Sequence, residues 1–125
     1  MKNILLFICF VLAFNAKAIS KETTYDKELF DKKNIDPGGV VVTSKGSNSD
    51  FVSRYFVPQC SFFEDPVTGS THCSLVPYWS EKLGKNELKS IQLSERGGEM
   101  FCIDKGDRVL INGQAKTYFK GTVAL

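Results

Sequence analysis

Short apolar runs separated by turn residues dominate the chain after residue 38 and predict a sheet. Residues 40–43 are a β-branched run, and residues 51–57 alternate between two sets of side chains, as a strand with a buried face does. Beyond Lys85 the same pattern predicts four more short strands, at residues 88–94, 99–103, 108–112 and 116–124. Asn112-Gly113 lies between the last two and predicts a hairpin turn.

One segment between these strands has a helical period. Apolar side chains recur there at spacings of three, four and seven or eight residues, which predicts a helix over residues 70–83; they are Leu75, Val76, Trp79 and Leu83. Pro77 should kink this helix or remove one hydrogen bond, and Gly84 is placed to end it. Because an apolar helix flanked by strands is most economically buried, we expect an α+β fold in which a curled, mostly antiparallel sheet surrounds one central helix.

The amino terminus has the pattern of a secretory signal peptide. Lys2 precedes an uncharged apolar run at residues 4–14, and Ala16-Lys17-Ala18 follows as a cleavage site, which predicts a signal peptide over residues 1–18. The run is short for a transmembrane span, which needs roughly 20 residues. Cleavage would make the protein secreted or periplasmic. The alternative is a buried strand or remnant sequence in a cytoplasmic protein.

The remaining chain divides into a polar linker and one folded unit. Residues 19–38 are charge-rich, with a short helix predicted around residues 27–33, and residues 39–125 form the lobe. Sixteen basic and fourteen acidic residues give a net charge of +2. Without residues 1–18 two lysines are lost, and the balance is fourteen to fourteen. We therefore expect a small-molecule or protein partner, with no nucleic acid and no membrane.

Cysteine and histidine usage indicates neither a disulfide framework nor a metal site. Three cysteines follow the predicted signal, without CxxC spacing, and the chain has one histidine, so we predict no metal and no cofactor. His72 and Cys73 are adjacent, but neighbours on a helix point about 100° apart, so they do not form a catalytic pair. We expect Cys73 to be a buried structural residue.

Candidate chemistry is concentrated in the heptapeptide EDPVTGS at residues 64–70, directly before the predicted helix. The first amides of a helix have no intrahelical partner, so a Gly-Ser start can bind a carboxylate or phosphate. The alternative is an ordinary helix cap, with Ser70 or Thr68 capping and Gly69 serving the turn. Arg54 could pair with Glu64, with Asp65 or with a substrate acid, or be a solvated charge at a strand edge.

Several separated words resemble the carboxy-terminal part of the PhzF (phenazine biosynthesis-like) isomerases. They occur in the order SRYF at 53–56, EDPVTGS at 64–70, THC at 71–73, PYW at 77–79, LGK at 83–85 and QLSERGGE at 92–99. The resemblance covers residues 39–125 and implies a partial diaminopimelate-epimerase-like lobe. It implies Asp65 as a catalytic residue. It further implies a substrate-binding set, namely Gly69, Ser70, Thr68 and His72.

Two words of full-length PhzF proteins, a SETAF-like word with the catalytic glutamate and a GHPT-like word, do not occur in these 125 residues. The resemblance therefore implies part of an isomerase that moves a proton within a small carboxylic acid. A separate amino-terminal half would supply the glutamate, and a homodimer is also possible. The alternatives are a non-catalytic exported binding or structural module, and a truncated relic.

Overall fold

The computed structural model describes residues 10–13, 39–58 and 60–123. In these segments seven strands form one sheet, and one helix packs on it. The elements are β1 (Phe10–Ala13), β2 (Val40–Lys45), β3 (Phe51–Phe56), β4 (Glu64–Asp65), α1 (His72–Leu83), β5 (Glu87–Gln92), β6 (Gly98–Asp104) and β7 (Val109–Asn112). The predicted α+β class with a mostly antiparallel sheet is therefore confirmed.

The sheet has the order β1-β2-β3-β5-β6-β7, with β4 outside this path. The β2–β3, β5–β6 and β6–β7 pairs are antiparallel, whereas β3 and β5 are parallel. A parallel pair needs a crossover connection, and α1 lies in the segment that joins β3 to β5. The crossover brings the start of α1 and the end of β5 into one region of the molecule.

The helix covers one face of the sheet with an apolar core. Leu75, Val76 and Trp79 of α1 pack on strand residues of that face, namely Val41, Phe51, Leu88, Met100 and Cys102. The Trp79 ring stacks on Phe51 with 5.7 Å between ring centroids, and its indole N–H donates to Thr43 Oγ1 at 2.9 Å. Trp79 is thus a core residue, as its helical spacing predicts.

The opposite face of the sheet is apolar as well. Val40, Val42, Val52 and Phe56 form a second buried cluster, against which Phe63, Ile91 and Leu93 pack. Two apolar faces explain why β2 is a β-branched run without alternation, because both sets of its side chains are buried.

The helix is shorter at its start than predicted and ends where predicted. Residues 69–71 form a turn, and α1 begins at His72. It continues through Pro77 and ends at Gly84, which adopts φ 66° and ψ 32°. There the amides of Gly84 and Lys85 donate to the carbonyls of Glu81 and Ser80. A glycine adopts this left-handed conformation without a steric penalty from a side chain.

Two predictions about the strands are wrong, and one short strand was not predicted. The prediction of a strand at residues 116–124 is wrong, because residues 113–123 have no regular structure and expose Tyr118 and Phe119. Without that strand, Asn112-Gly113 does not form the predicted hairpin. The hairpin lies one connection earlier, where the Lys105 amide donates to the Arg108 carbonyl between β6 and β7. β4, a strand of two residues, was not predicted.

Four residues of the amino-terminal apolar run lie in the sheet. β1 pairs in parallel with β2, from Phe10 opposite Val40 to Ala13 opposite Thr43. A strand is the alternative interpretation of this run, and it fits these four residues. The cleavage site and the helix predicted around residues 27–33 lie outside the described residues. No helix in the described segments is long and apolar enough to cross a membrane.

Candidate functional site

The EDPVTGS loop reaches the helix start because β4 and β5 share one edge of β3. β5 pairs with residues 51–53, and β4 pairs with residues 55–56. β2 occupies the other edge of β3, so β4 and β5 lie end to end. Asp65 at the end of β4 is consequently next to Gln92 at the end of β5, and the chain then runs through residues 66–71 into α1.

The turn before α1 leaves a row of three backbone amides without an acceptor. The His72 amide donates to the Gly69 carbonyl at 3.0 Å, and the Cys73 amide donates to the Ser70 carbonyl at 3.2 Å. Within the described part of the chain, the amides of Gly69, Ser70 and Thr71 donate to no acceptor. Unpaired amides at the positive end of a helix dipole form a favourable place for an anion.

No side chain in the described segments caps this helix start, so the alternative of an ordinary N-cap does not describe it. The N-cap residue is Thr71, and its hydroxyl donates to the Thr68 carbonyl at 2.9 Å. The Thr68 hydroxyl is directed at Asp65, and Ser70 is exposed. A Cβ added at Gly69 would meet no atom within 4 Å, so the space on that side of Gly69 is open.

Asp65 and Thr68 are joined by a hydrogen bond. The Thr68 hydroxyl donates to Asp65 Oδ2, whereas Asp65 Oδ1 accepts no hydrogen bond from any residue whose position is described. Thr68 is buried and Asp65 is half-buried. One carboxylate oxygen is thereby fixed, and the other is left for a further donor.

Gln92, which was not among the predicted site residues, binds the EDPVTGS loop through its side-chain amide. Its Oε1 accepts from the Thr68 amide at 2.8 Å, and its Nε2 donates to the Asp65 carbonyl at 2.7 Å and to Thr68 Oγ1 at 3.2 Å. Its side chain is fully buried. An amide at an inward-facing position of β5 was the clue in the sequence, because a buried amide needs partners.

Ser94 and Gly98 provide two further supports that were also missed. The Ser94 hydroxyl donates to the Pro66 carbonyl at 2.6 Å and accepts from the Gly97 amide at 3.0 Å. A side chain at Gly98 would clash with Val67 Cγ2, so the glycine allows β6 to approach the loop closely. Both residues belong to the QLSERGGE word.

His72 lies behind the loop and not on its open side. Its ring is fully buried against Phe51, with 5.7 Å between ring centroids. Nδ1 donates to the Thr68 carbonyl at 2.9 Å, and Nε2 accepts from the Ser90 hydroxyl at 2.9 Å. A carbonyl oxygen only accepts, which fixes the proton on Nδ1. Burial lowers the pKa of His72, and the bond to Thr68 only partly opposes that effect.

This position gives His72 a supporting role. Of the five predicted site residues, the structure brings Asp65, Thr68, Gly69 and Ser70 together along one loop. His72 supports the loop through the Thr68 carbonyl, and a direct contact with a substrate would require its buried ring to become accessible.

Arg54 forms an ion pair immediately beside the site. Its Nε and Nη2 donate to Oε1 and Oε2 of Glu64 at 2.7 and 2.8 Å, which confirms one of the expected pairings. The guanidinium also lies 5.1 Å from the centre of the Phe56 ring. A two-pronged pair of this kind fixes orientation as well as charge. It anchors the residue that precedes Asp65 and, because Arg54 is buried, it is not a solvated edge charge.

The cysteines take no part in this site, and one prediction about them is wrong. Cys73 is exposed, because it lies on the outer side of α1, whereas Cys102 is the buried one; both are free thiols, as is Cys60. Burial raises the pKa of Cys102. The described residues contain no group of three side chains that could hold a metal ion.

Comparison with known proteins identifies a family whose members resemble this chain. A family model described as phenazine biosynthesis-like protein matches residues 9–121. An uncharacterized isomerase of Pseudomonas aeruginosa is 51% identical over 87 residues, which are 70% of this chain and 33% of that protein. A human phenazine biosynthesis-like domain-containing protein is 45% identical over 92 residues, or 68% of this chain and 32% of the human protein.

Solved structures agree with the sequence matches. A PhzC/PhzF protein from Clostridium difficile is similar with a TM-score of 0.78 and 42% identity, covering 92% of this chain and 44% of that one. A PhzF-family protein from Enterococcus faecalis gives a TM-score of 0.77 and 40% identity over the same shares. The chain thus spans about a third of the length of the curated relatives and less than half of these structures.

Proposed function

Because the chain belongs to the phenazine biosynthesis-like (PhzF) family, we propose that it contains the carboxylate-binding part of an isomerase active site. The reaction would be a proton transfer within a small carboxylic acid. The lobe would then be part of a diaminopimelate-epimerase-like fold. Relatives named as isomerases support the reaction class.

A single observation carries this proposal, namely that the amides of Gly69, Ser70 and Thr71 donate to no acceptor among the described residues. A substrate carboxylate placed there would accept hydrogen bonds from fixed donors at the positive end of α1. Removal of a proton from the neighbouring carbon sends negative charge towards that carboxylate. Donors that are already in place stabilise such charge without having to reorganise.

Asp65 would act next to the reacting carbon. Its Oδ2 is held by Thr68, and its Oδ1, which accepts no hydrogen bond from the described residues, would face a substrate proton or hydroxyl. A glutamate from the remaining portion of a PhzF-like protein would remove the proton and return it at another position. That portion, or a second copy of this chain, is the partner we propose. The site as proposed needs no metal and no cofactor.

Binding can be tested with benzoate, a carboxylate that ¹⁵N-resolved NMR can follow at single amides. We expect saturable shifts at Gly69, Ser70 and Thr71. Gly69→Ala should weaken benzoate binding because the new methyl group enters the open space beside the amides, yet it contacts nothing in the chain. Gly113→Ala is the matched control, since a side chain at Gly113 also meets no atom. Equal binding by both variants would contradict the proposed site.

Catalysis can be tested in an enzyme reconstituted with the unmatched portion of the Clostridium difficile relative. Substrate candidates would be incubated in D₂O and examined for deuterium at carbon. Asp65→Asn should abolish incorporation while leaving the circular dichroism spectrum unchanged. Full incorporation by this variant would refute the role of Asp65.

The second candidate is a binding or structural module without turnover. Benzoate binding at residues 69–71 without deuterium incorporation in the reconstituted protein would favour it. We propose export to the periplasm or medium if residues 1–18 are cleaved, and a cytoplasmic protein otherwise. Mass spectrometry of the amino terminus after expression with and without a secretion system distinguishes the two.

A further inference from the structure

We propose that Gln92 is the positioning residue that sets the geometry of Asp65 and of the amides at residues 69–71. This inference rests on the proposed function, because it assigns a role within that site. It concerns a residue outside the EDPVTGS loop, and it follows from hydrogen bonding alone.

The side-chain amide of Gln92 is matched to the loop in one orientation only. Its oxygen faces the Thr68 amide, which can only donate, and its nitrogen faces the Asp65 carbonyl, which can only accept. If the amide were reversed, its N–H₂ would face the Thr68 N–H and its oxygen would face the Asp65 carbonyl oxygen, so neither hydrogen bond could form. Of the neutral side chains of this length, glutamine supplies both an acceptor and a donor, so both ends of the loop segment 65–68 are tied to one group.

The same amide determines where the Thr68 hydroxyl points. Gln92 Nε2 donates to Thr68 Oγ1 at 3.2 Å, so that oxygen accepts from Gln92 and donates its own hydrogen to Asp65 Oδ2. A relay from Gln92 through Thr68 therefore occupies Oδ2. Asp65 Oδ1 then remains for a ligand. Gln92 therefore determines, through Thr68, which carboxylate oxygen a ligand can reach.

The backbone of Gln92 is held in the sheet. Gln92 is the last residue of β5, where it is paired with Ser53 of β3 and with Gly98 of β6. Its side chain has no exposure to solvent. A loop tied to the middle of a sheet keeps its amides fixed relative to the reacting group, which is the requirement for preorganised charge stabilisation.

The test compares two substitutions in the full chain. Gln92→Met removes every polar contact at similar volume. Gln92→Glu keeps an acceptor for the Thr68 amide but has no donor while it is ionised, and regains one when the introduced carboxyl is protonated. Because burial raises the pKa of a carboxyl, protonation should occur above its ordinary value of about 4.3. Gln114→Glu in the exposed carboxy-terminal segment is the control.

Benzoate affinity is measured for each variant relative to the wild type between pH 8 and pH 5, so that pH effects common to both proteins cancel. We expect Gln92→Glu to bind about tenfold more weakly at pH 8, because it loses both hydrogen bonds that Gln92 Nε2 donates, and to recover to within about threefold at pH 5, when its O–H restores one of them. Gln92→Met should stay weak at both pH values. Wild-type affinity in Gln92→Met, or no recovery of Gln92→Glu on acidification, would overturn the proposal.

Hydrogen exchange at the Thr68 amide provides a readout that does not depend on ligand. The amide should stay protected in Gln92→Glu and lose protection in Gln92→Met, while amides of β2 and β3 keep theirs. If the wild type gave no benzoate response, the proposed function would fail on its own. An unchanged Thr68 exchange rate in Gln92→Met would instead overturn the role of Gln92.

Discussion

The ion pair between Arg54 and Glu64 offers a sharp test of how the site loop is anchored. Glu64→Ala removes the two carboxylate oxygens to which Arg54 Nε and Nη2 donate; the Arg54 side chain is 8% exposed, and that of Glu64 is 18% exposed. Each hydrogen bond to a charged group contributes about 1.5–3 kcal/mol when its partner is buried. Removing one member of a buried pair costs about 3–5 kcal/mol, because the other charge stays desolvated.

The partial exposure of Glu64 sets the expected value at the lower end of these figures. Water can enter beside the truncated side chain and solvate part of the guanidinium, so we expect Glu64→Ala to lower the free energy of unfolding by about 2–3 kcal/mol. Glu64→Gln keeps one acceptor oxygen and should cost about half as much. The Lys89–Glu99 pair provides the control, since its side chains are 36% and 50% exposed. Glu99→Ala should change stability by less than about 1 kcal/mol.

Urea unfolding of the full chain at pH 7, followed by Trp79 fluorescence and by circular dichroism, measures these differences. A double variant, Arg54→Met with Glu64→Leu, should be more stable than Glu64→Ala alone, because it also removes the guanidinium that Glu64→Ala leaves desolvated. Equal losses for Glu64→Ala and Glu99→Ala would refute the reasoning. A loss of stability in the double variant equal to the sum of the losses in Arg54→Met and Glu64→Leu, each measured singly, would also refute it.

Three further predictions follow from individual residues. His72 has a lowered pKa when folded, so the unfolded chain binds the extra proton first; stability should fall as the pH drops below about 6.5, by at most about 1.4 kcal/mol per pH unit, and His72→Gln should flatten this dependence in urea titrations. Gly98→Ala should displace Val67 and shift the amide resonances of residues 66–71, whereas unchanged resonances would contradict the close approach. Ending the chain at Gly113 should alter the unfolding free energy by less than about 0.5 kcal/mol, because the side chains of residues 114–123 are exposed; a larger loss would show that the removed segment packs on the sheet.

The helix and the central strands could be predicted because their patterns are local. Periodicity identified the buried face of α1. Gly84 marked the end of the helix, where the backbone adopts a φ of 66° that favours glycine. The strand predicted at residues 116–124 was wrong because a strand does not depend on local pattern alone. Their strand-like composition reports intrinsic preference, whereas a strand also needs a partner, and residues 113–123 have none within the described sheet.

The candidate site was predicted in its loop but not in its supports. The Gly-Ser helix start and its carboxylate can be read from seven consecutive residues. Gln92 lies 24 residues away from Thr68, and the bond between them depends on β4 and β5 meeting end to end along β3. The prediction for Cys73 was wrong because it rested on the usual burial of a free cysteine, whereas Cys73 lies outside the buried face of α1 that Leu75, Val76 and Trp79 define.

A crystal structure of the full chain soaked with benzoate tests the central claim most directly. The account predicts that a carboxylate oxygen lies within hydrogen-bond distance, about 2.7–3.2 Å, of amide nitrogens among Gly69, Ser70 and Thr71, with Asp65 alongside. Benzoate bound elsewhere, or those amides bonded to acceptors of the chain itself, would contradict it.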